Sequence, residues 1–478
     1  MNASGQQLKA AIDDCVQLVA SGRTERATAE LRRVLAAVTG PAEFVERMGV
    51  EFQQITALFP LAEVAFERLS ELRPGDAMPV ARLGACVVVQ RDFERGEAIL
   101  RRAVGLDPAA VWPRTQLAGL LERTNRLDAA LHEAQQAVER EPSSSAALLV
   151  LGQIERRLGK LDDSRAHLTT ALDSKGLGAR LEMRLRGQLG FTLDALGEHD
   201  DAFNEFERSQ ALWLTMPAPS RIDPEAYPKR IAAFRELVES ADFANWPTAR
   251  PEGSRPAPVF FVGFPRSGTT LLEQMLGAHG SILGSEEMPF LGQALQQAEQ
   301  GQIEQGQVDQ GGTAIPAGLA SMDEGARAEI ERAYWAGVEA ALGPIGDRVL
   351  LDKLPLTIVE LAAVYRVFPD AKVIVALRDP RDCVLSAFMQ EFGANIGMVH
   401  TASLGSTAKL YQGVMGLWLA QQCRATWIEK GTTYSYEQLT QLATEAEPFR
   451  SLVDPDDADF LAPGDMPDKS DPAMAEIA

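Results

Sequence analysis

Proline returns about every 34 residues in the first half of the chain, at Pro74, Pro108 and Pro142. Other positions keep the same step. Leu83-Gly84, Leu117-Ala118 and Leu151-Gly152 recur in register, followed by Leu189-Gly190 after a small insertion. Gly96, Ala130, Ser164 and Ala202 occupy a second equivalent place. A period of this length accommodates one pair of helices and their turns, and such units bury their apolar faces by stacking. Small residues at matched places let the two helices of a pair approach closely, where a large side chain would wedge the crossing open. Each proline is expected just after a helix end, where its missing N–H costs little.

Weaker copies precede these. "GRTERATAELRRVL" (Gly22 to Leu35) and "PLAEVAFERLSEL" (Pro60 to Leu72) each look like the second helix of a pair, which gives about six pairs up to Leu214. The pattern resembles the tetratricopeptide repeat family, although the Trp and Tyr usual near the start of each first helix are missing. The resemblance implies an all-α solenoid over residues 1–216. Its concave surface is expected to take a peptide or protein partner, or else to serve as a scaffold or oligomerisation surface. The repeat specifies fold and not chemistry, and the oligomeric state stays open.

Composition narrows the field. The 478 residues suffice for several domains, and 46% hydrophobic with 24% charged residues suit an ordinary globular protein. A formal net charge of −21 argues against general binding to nucleic acid or anionic membranes. No apolar run approaches the roughly 20 residues that span a bilayer, and the first residues do not read as a signal peptide. Cys15, Cys86, Cys383 and Cys423 are far apart and match no metal spacing, so reduced thiols and a cytoplasmic location are expected.

"TMPAPSRIDPEAYPKR" (Thr215 to Arg230) breaks the repeat with four prolines. A short helix, Ile231 to Ser240, and the Pro-rich "NWPTARPEGSRPAP" are expected to complete a connecting segment over residues 217–257. Beyond it, "FFVGFPRSGTTLL" (Phe260 to Leu272) has the P-loop spacing from Gly263 to Gly268, but Thr269 stands where that loop has lysine. Val259 to Phe264 reads as a buried parallel strand, and "TTLLEQMLGAH" as the helix after the loop. Further strands are expected at Asp347–Lys353, Ala371–Arg378 and Gly431–Tyr436. A helix in "DEGARAEIERAYWAGVEAAL", ending at Gly343-Pro344, lies among them. Strands alternating with helices imply an α/β, P-loop-like domain with a parallel sheet, whose ligand sits at the carboxyl ends of the strands. Arg266, Lys353 and Arg378 fall at or just past such ends. Without the lysine, and with Lys353 beside the acidic Asp352, the site suits an anion held without metal; a kinase or nucleoside triphosphatase is opposed.

"FPRSGTTLLEQML" together with "VIVALRDPRDCVLSAF" resembles the two signature segments of the sulfotransferases, which use 3′-phosphoadenosine 5′-phosphosulfate (PAPS). Within that family the segments most resemble the tyrosylprotein sulfotransferase type and bacterial proteins that join tetratricopeptide repeats to such a domain. The resemblance covers about 180 residues and implies the sulfotransferase fold over residues 258–443. It implies that Arg266, Ser267, Gly268, Thr269 and Thr270 hold the 5′-phosphosulfate, with Arg266 beside the transferring group. It also implies that Arg378 and Ser386 bind the 3′-phosphate, that Glu287 is the general base, that Lys353 assists the leaving group, and that Tyr436 packs near the adenine. The implied activity is sulfuryl transfer from PAPS to a hydroxyl on a protein tyrosine, a glycan or a small molecule. The alternative is a non-catalytic scaffold that keeps the nucleotide fold. The family's C-terminal cofactor contacts have no counterpart in residues 444–478, an acidic Pro/Asp-rich stretch whose one lysine is Lys469, expected to be disordered. The Gln/Gly-rich segment Gly292 to Gly318 is expected to be a mobile lid or an inert insertion.

Overall fold

The computed structural model describes residues 3–20, 23–37, 42–55, 58–240, 246, 249–251, 254–303 and 318–415. The expected strand Gly431–Tyr436, Tyr436 itself, Cys423, the acidic stretch 444–478 and residues 304–317 of the Gln/Gly-rich segment lie outside them. The chain divides into two compact units, Met1–Leu212 and Trp213–Ala478.

Among the described residues the first unit is all helix: α1 (Ala3–Ala20), α2 (Thr24–Ala37), α3 (Ala42–Phe52), α4 (Phe59–Leu72), α5 (Ala77–Val89), α6 (Phe93–Leu106), α7 (Val111–Arg123), α8 (Leu127–Arg140), α9 (Ser145–Arg157), α10 (Leu161–Leu172), α11 (Ala179–Leu196) and α12 (His199–Leu214). Pro74, Pro108 and Pro142 each stand two residues past a helix end, as their missing N–H requires. The small-residue positions are close crossings. A Cβ on Gly84 would meet Leu100 Cγ at 2.8 Å, one on Gly152 would meet Leu168 Cγ at 2.7 Å, and one on Gly190 would meet Phe206 at 2.8 Å. Ser164 uses the same closeness to donate its hydroxyl to the Gly152 carbonyl at 2.7 Å. Helices α5, α7, α9 and α11 pack on one another in sequence, so the first helices of successive pairs form one layer of a solenoid.

The second unit holds a four-stranded parallel sheet in the order β2-β3-β1-β4, built from β1 (Val259–Gly263), β2 (Ile282–Gly284), β3 (Val349–Lys353) and β4 (Lys372–Ala376). The short β2 was not expected. Its three residues carry too little periodicity to stand out in the sequence. Between the strands run α14 (Thr269–Gly277), α15 (Phe290–Ile303), α16 (Glu324–Leu342) and α17 (Leu361–Val367), and α18 (Pro380–Phe388) follows β4. Asp323 caps α16 by accepting the Ala326 N–H at 2.8 Å, and the helix ends at Gly343, whose positive φ of +72° suits glycine.

The Pro-rich connection differs from expectation. Helix α13 (Ala226–Ser240) begins at Ala226 rather than Ile231, with Pro228 in its first turn, where no intrahelical N–H bond is lost. It is also no mere linker: Tyr227, Ile231, Phe234 and Leu237 are buried in the same core as Phe260, Tyr334 and Phe368. Among the described residues no helix is long and apolar enough to cross a membrane.

Candidate active site

Strand β1 stops at Gly263, and the chain turns through Phe264 to Gly268 into α14. A Cβ on Gly263 would lie 2.7 Å from the Ala376 carbonyl oxygen and 3.0 Å from Ser267 Oγ, so only glycine lets the loop fold back against β4. Gly268, at φ +90°, is the N-cap of α14 and brings no side chain to cap it. The first N–H groups of the helix are therefore left for a ligand, and the positive end of the helix favours an anion. Ser267 Oγ is buried and has no hydrogen-bond partner among the described residues, a polar group suited to an anion's oxygen.

Arg266 stands in the loop at φ +74°, and its Nε donates to Ser386 Oγ on α18 at 3.0 Å. The two residues expected to share the 3′-phosphate are thus apart in their contacts. Ser386 meets Arg266, whereas Arg378 is half-exposed and pairs with Asp382 at 3.0 Å. Asp379 caps α18 by accepting the Arg381 N–H at 2.7 Å. Its carboxyl is held down at about 2, chiefly by its hydrogen bond with the Arg381 guanidinium.

At the end of β3 neighbouring side chains take opposite faces. Asp352 is fully buried, accepting the Tyr334 hydroxyl at 2.6 Å, and burial pushes it up to about 7. Lys353 points toward α14. Its side chain is 3% exposed, and its Nζ lies 2.6 Å from Glu287 Oε1, 3.2 Å from Glu273 Oε2 and 3.5 Å from Thr270 Oγ1. The Lys353 pairing therefore bypasses the adjacent Asp352. Glu287 is the exposed member, with 49% of its side chain open to solvent. Thr269, the first residue of α14, is buried.

The turn after β2 is built unusually. Glu286 and Glu287 have φ of +51° and +66°. With Arg266 they make three of the five non-glycine residues at positive φ among the described residues. Each costs on the order of 1 kcal/mol, and such strain persists where the surroundings dictate it. Two of those surroundings were not singled out in the sequence. Ser285 is fully buried and accepts the Lys353 N–H at 2.8 Å. Glu273 is buried on α14 and accepts the Glu286 N–H at 3.0 Å. The one signal for Glu273 is a charged residue inside the apolar stretch "TTLLEQML".

The arrangement joins an anion-ready helix N-terminus, a fixed ammonium and an exposed carboxylate within one hydrogen-bonded cluster. It can hold an anion, offset charge on that anion's oxygens, and accept a proton from a neighbouring group. Among the described residues no group of three or more His, Cys, Asp or Glu side chains is arranged to hold a metal ion.

Residues 258–444 match the model of the sulfotransferase family, and residues 115–179 match that of the tetratricopeptide repeat. An uncharacterized protein of Aquifex aeolicus is 26% identical over 307 residues, which is 63% of this chain and 38% of that protein. A rhamnulokinase of Bacteroides thetaiotaomicron is 38% identical over 71 residues, 15% of this chain and 14% of its own. The chain thus spans well under half the length of these curated relatives. Among solved structures, a tetratricopeptide repeat protein of Thermus thermophilus aligns with a TM-score of 0.33 at 18% identity, over 37% of this chain and 93% of that one. MamA of Desulfovibrio magneticus aligns at 0.29 and 16%, over 38% and 99%. The chain carries a sulfotransferase-family domain, built on a parallel sheet, behind an array of tetratricopeptide repeats.

Proposed function

We propose that the chain transfers a sulfuryl group from PAPS to a hydroxyl acceptor. The observation that carries this reading is the Lys353–Glu287 contact of 2.6 Å, placed beside Thr270 at the first turn of α14. The residues fit the nucleotide: the uncapped helix N-terminus and the unpartnered Ser267 Oγ suit the 5′-phosphate, and Arg266, Ser386 and Arg378 gather further donors at the strand ends. When bound, PAPS supplies the activated sulfuryl group. The chain's own residues supply the rest. Glu287 accepts the proton of the acceptor hydroxyl. Lys353 offsets negative charge growing on the bridging oxygen, and Arg266 that on the peripheral oxygens. Confining an acidic nucleotide among these cations also lets a protein of net charge −21 bind it.

The acceptor is a hydroxyl on a protein tyrosine, a glycan or a small molecule. The repeats favour an acceptor carried on a peptide, docked in a groove of about 490 Å³ lined by Trp112, Gln116, Arg123, Gln153 and Arg184. The free, buried thiols of Cys15, Cys86 and Cys383 support a reducing, cytoplasmic setting. Calorimetry with 3′-phosphoadenosine 5′-phosphate and with ATP–Mg²⁺, followed by transfer of labelled sulfate from PAPS to a panel of acceptors, tests the reading. Tight binding of the first nucleotide and labelled product support it. Preference for ATP–Mg²⁺, or nucleotide binding with no product on any acceptor class, rejects it.

A further inference from the structure

Lys353 has two carboxylate partners of opposite character. Glu287 is half-exposed at the mouth of the site, whereas Glu273 is 3% exposed, with its Oε2 3.2 Å from Nζ. A buried ammonium must keep a counter-charge, because an unpaired ion in a poorly solvated site is strongly disfavoured. If Glu287 were the one counter-ion, it could not turn toward a substrate without stranding Lys353. Glu273 removes that conflict. It is fixed on α14, and its other oxygen, Oε1, accepts the N–H of Glu286 at 3.0 Å, the first of the two residues at positive φ. The close fit is enforced by Gly284, where a Cβ would lie 2.8 Å from Glu273 Oε1. One side chain thus ties the helix behind the phosphate loop to the lysine and to the backbone that presents Glu287.

We propose that Glu273 is a positioning residue for the transfer reaction. It is the standing counter-ion of Lys353 and the anchor of the Glu286–Glu287 turn, and it leaves Glu287 free to take the acceptor's proton. This rests on the sulfuryl-transfer reading above.

The test is a double-mutant cycle in the full chain. Glu273→Gln keeps an oxygen for the Glu286 N–H and removes the charge. Affinity for 3′-phosphoadenosine 5′-phosphate should stay within about twofold of the parent, while turnover falls at least about tenfold, or ~1.4 kcal/mol of barrier. Added to Lys353→Met, the same change should cost nothing further, because the charge it compensates has gone. Equilibrium unfolding of the four proteins supplies a readout free of activity: Glu273→Gln should destabilise the parent and be neutral or stabilising beside Lys353→Met. Losses that multiply in turnover, or add in stability, would overturn the proposal and leave Glu273 as scaffold alone. A parent that binds no nucleotide while the unfolding cycle shows coupling would instead sink the transferase reading, and with it the catalytic half of this one.

Discussion

Lys353 Nζ and Glu287 Oε1 are 2.6 Å apart, although the two residues are separated by 66 positions in the chain. The contact joins the buried end of β3 to an exposed turn after β2, so a fixed cation and a solvent-facing carboxylate share one point of space.

Glu287→Gln preserves the size of the side chain and removes its ability to accept a proton. Turnover should fall by roughly 10²–10⁴-fold while nucleotide affinity is kept. A variant that turns over at nearly the parent rate would transfer the role of base to Glu286 or to the substrate.

Arg378 lies half-exposed and bonded to Asp382, so it can exchange that partner for a phosphate. Arg378→Ala should weaken binding of 3′-phosphoadenosine 5′-phosphate by about 1.5–3 kcal/mol, the scale of a hydrogen bond to a charged group. Adenosine 5′-phosphate, lacking the 3′-phosphate, should bind the variant and the parent alike. Equal losses for both nucleotides, measured by calorimetry, would show that Arg378 only supports the end of the sheet.

Asp352 makes stability depend on pH. Its folded value is raised to about 7 from 3.8 by burial. Between those values the folded chain holds a proton that the unfolded chain has released, so the contribution is complete below about pH 4 and is lost as pH rises to about 7. Asp352→Asn keeps an acceptor for the Tyr334 hydroxyl and cannot ionise. Its stability relative to the parent should therefore grow between pH 4 and 7, by at most about 4 kcal/mol. Urea unfolding at pH 4.5, 6 and 8 measures this; a constant difference would show that the carboxyl stays neutral or finds another partner.

Two helical glycines of the repeats should respond oppositely to alanine. At Gly152 the new methyl would sit 2.7 Å from Leu168 Cγ, so Gly152→Ala should destabilise the solenoid by about 1–3 kcal/mol. Gly119, in α7, has nothing among the described residues within 4 Å of an added Cβ, and Gly119→Ala should stabilise by about 0.5–1 kcal/mol. Thermal melts of both variants check the contrast. Two shifts of the same sign would mean that helix propensity outweighs the crossing distance.

The parts whose cause lies in neighbouring residues or in a repeating step are legible along the chain. The 34-residue recurrence of proline and small residues placed the helix ends and the tight crossings, because those sterics repeat with the chain. The apolar run, glycine turn and paired hydroxyls from Val259 to Thr270 likewise marked a strand, a loop and a helix N-terminus. Whatever depends on which distant groups meet is set by packing. Nothing near Glu273 announces that it will be buried against Lys353, since that requires β2 to pass close by at Gly284. Arg266 and Ser386 lie 120 positions apart and meet only because α14 and α18 follow adjacent strands, β1 and β4. Lys353 meets Glu273 and Glu287 while Asp352 turns to Tyr334 because the pleat of β3 sends them to opposite faces, and only the sheet's packing shows which partners each face meets. Helix α13 entered the core of the second unit for the same reason: its apolar stripe identified a helix, but the surface that would bury it was set by Phe260, Tyr334 and Phe368, far along the chain.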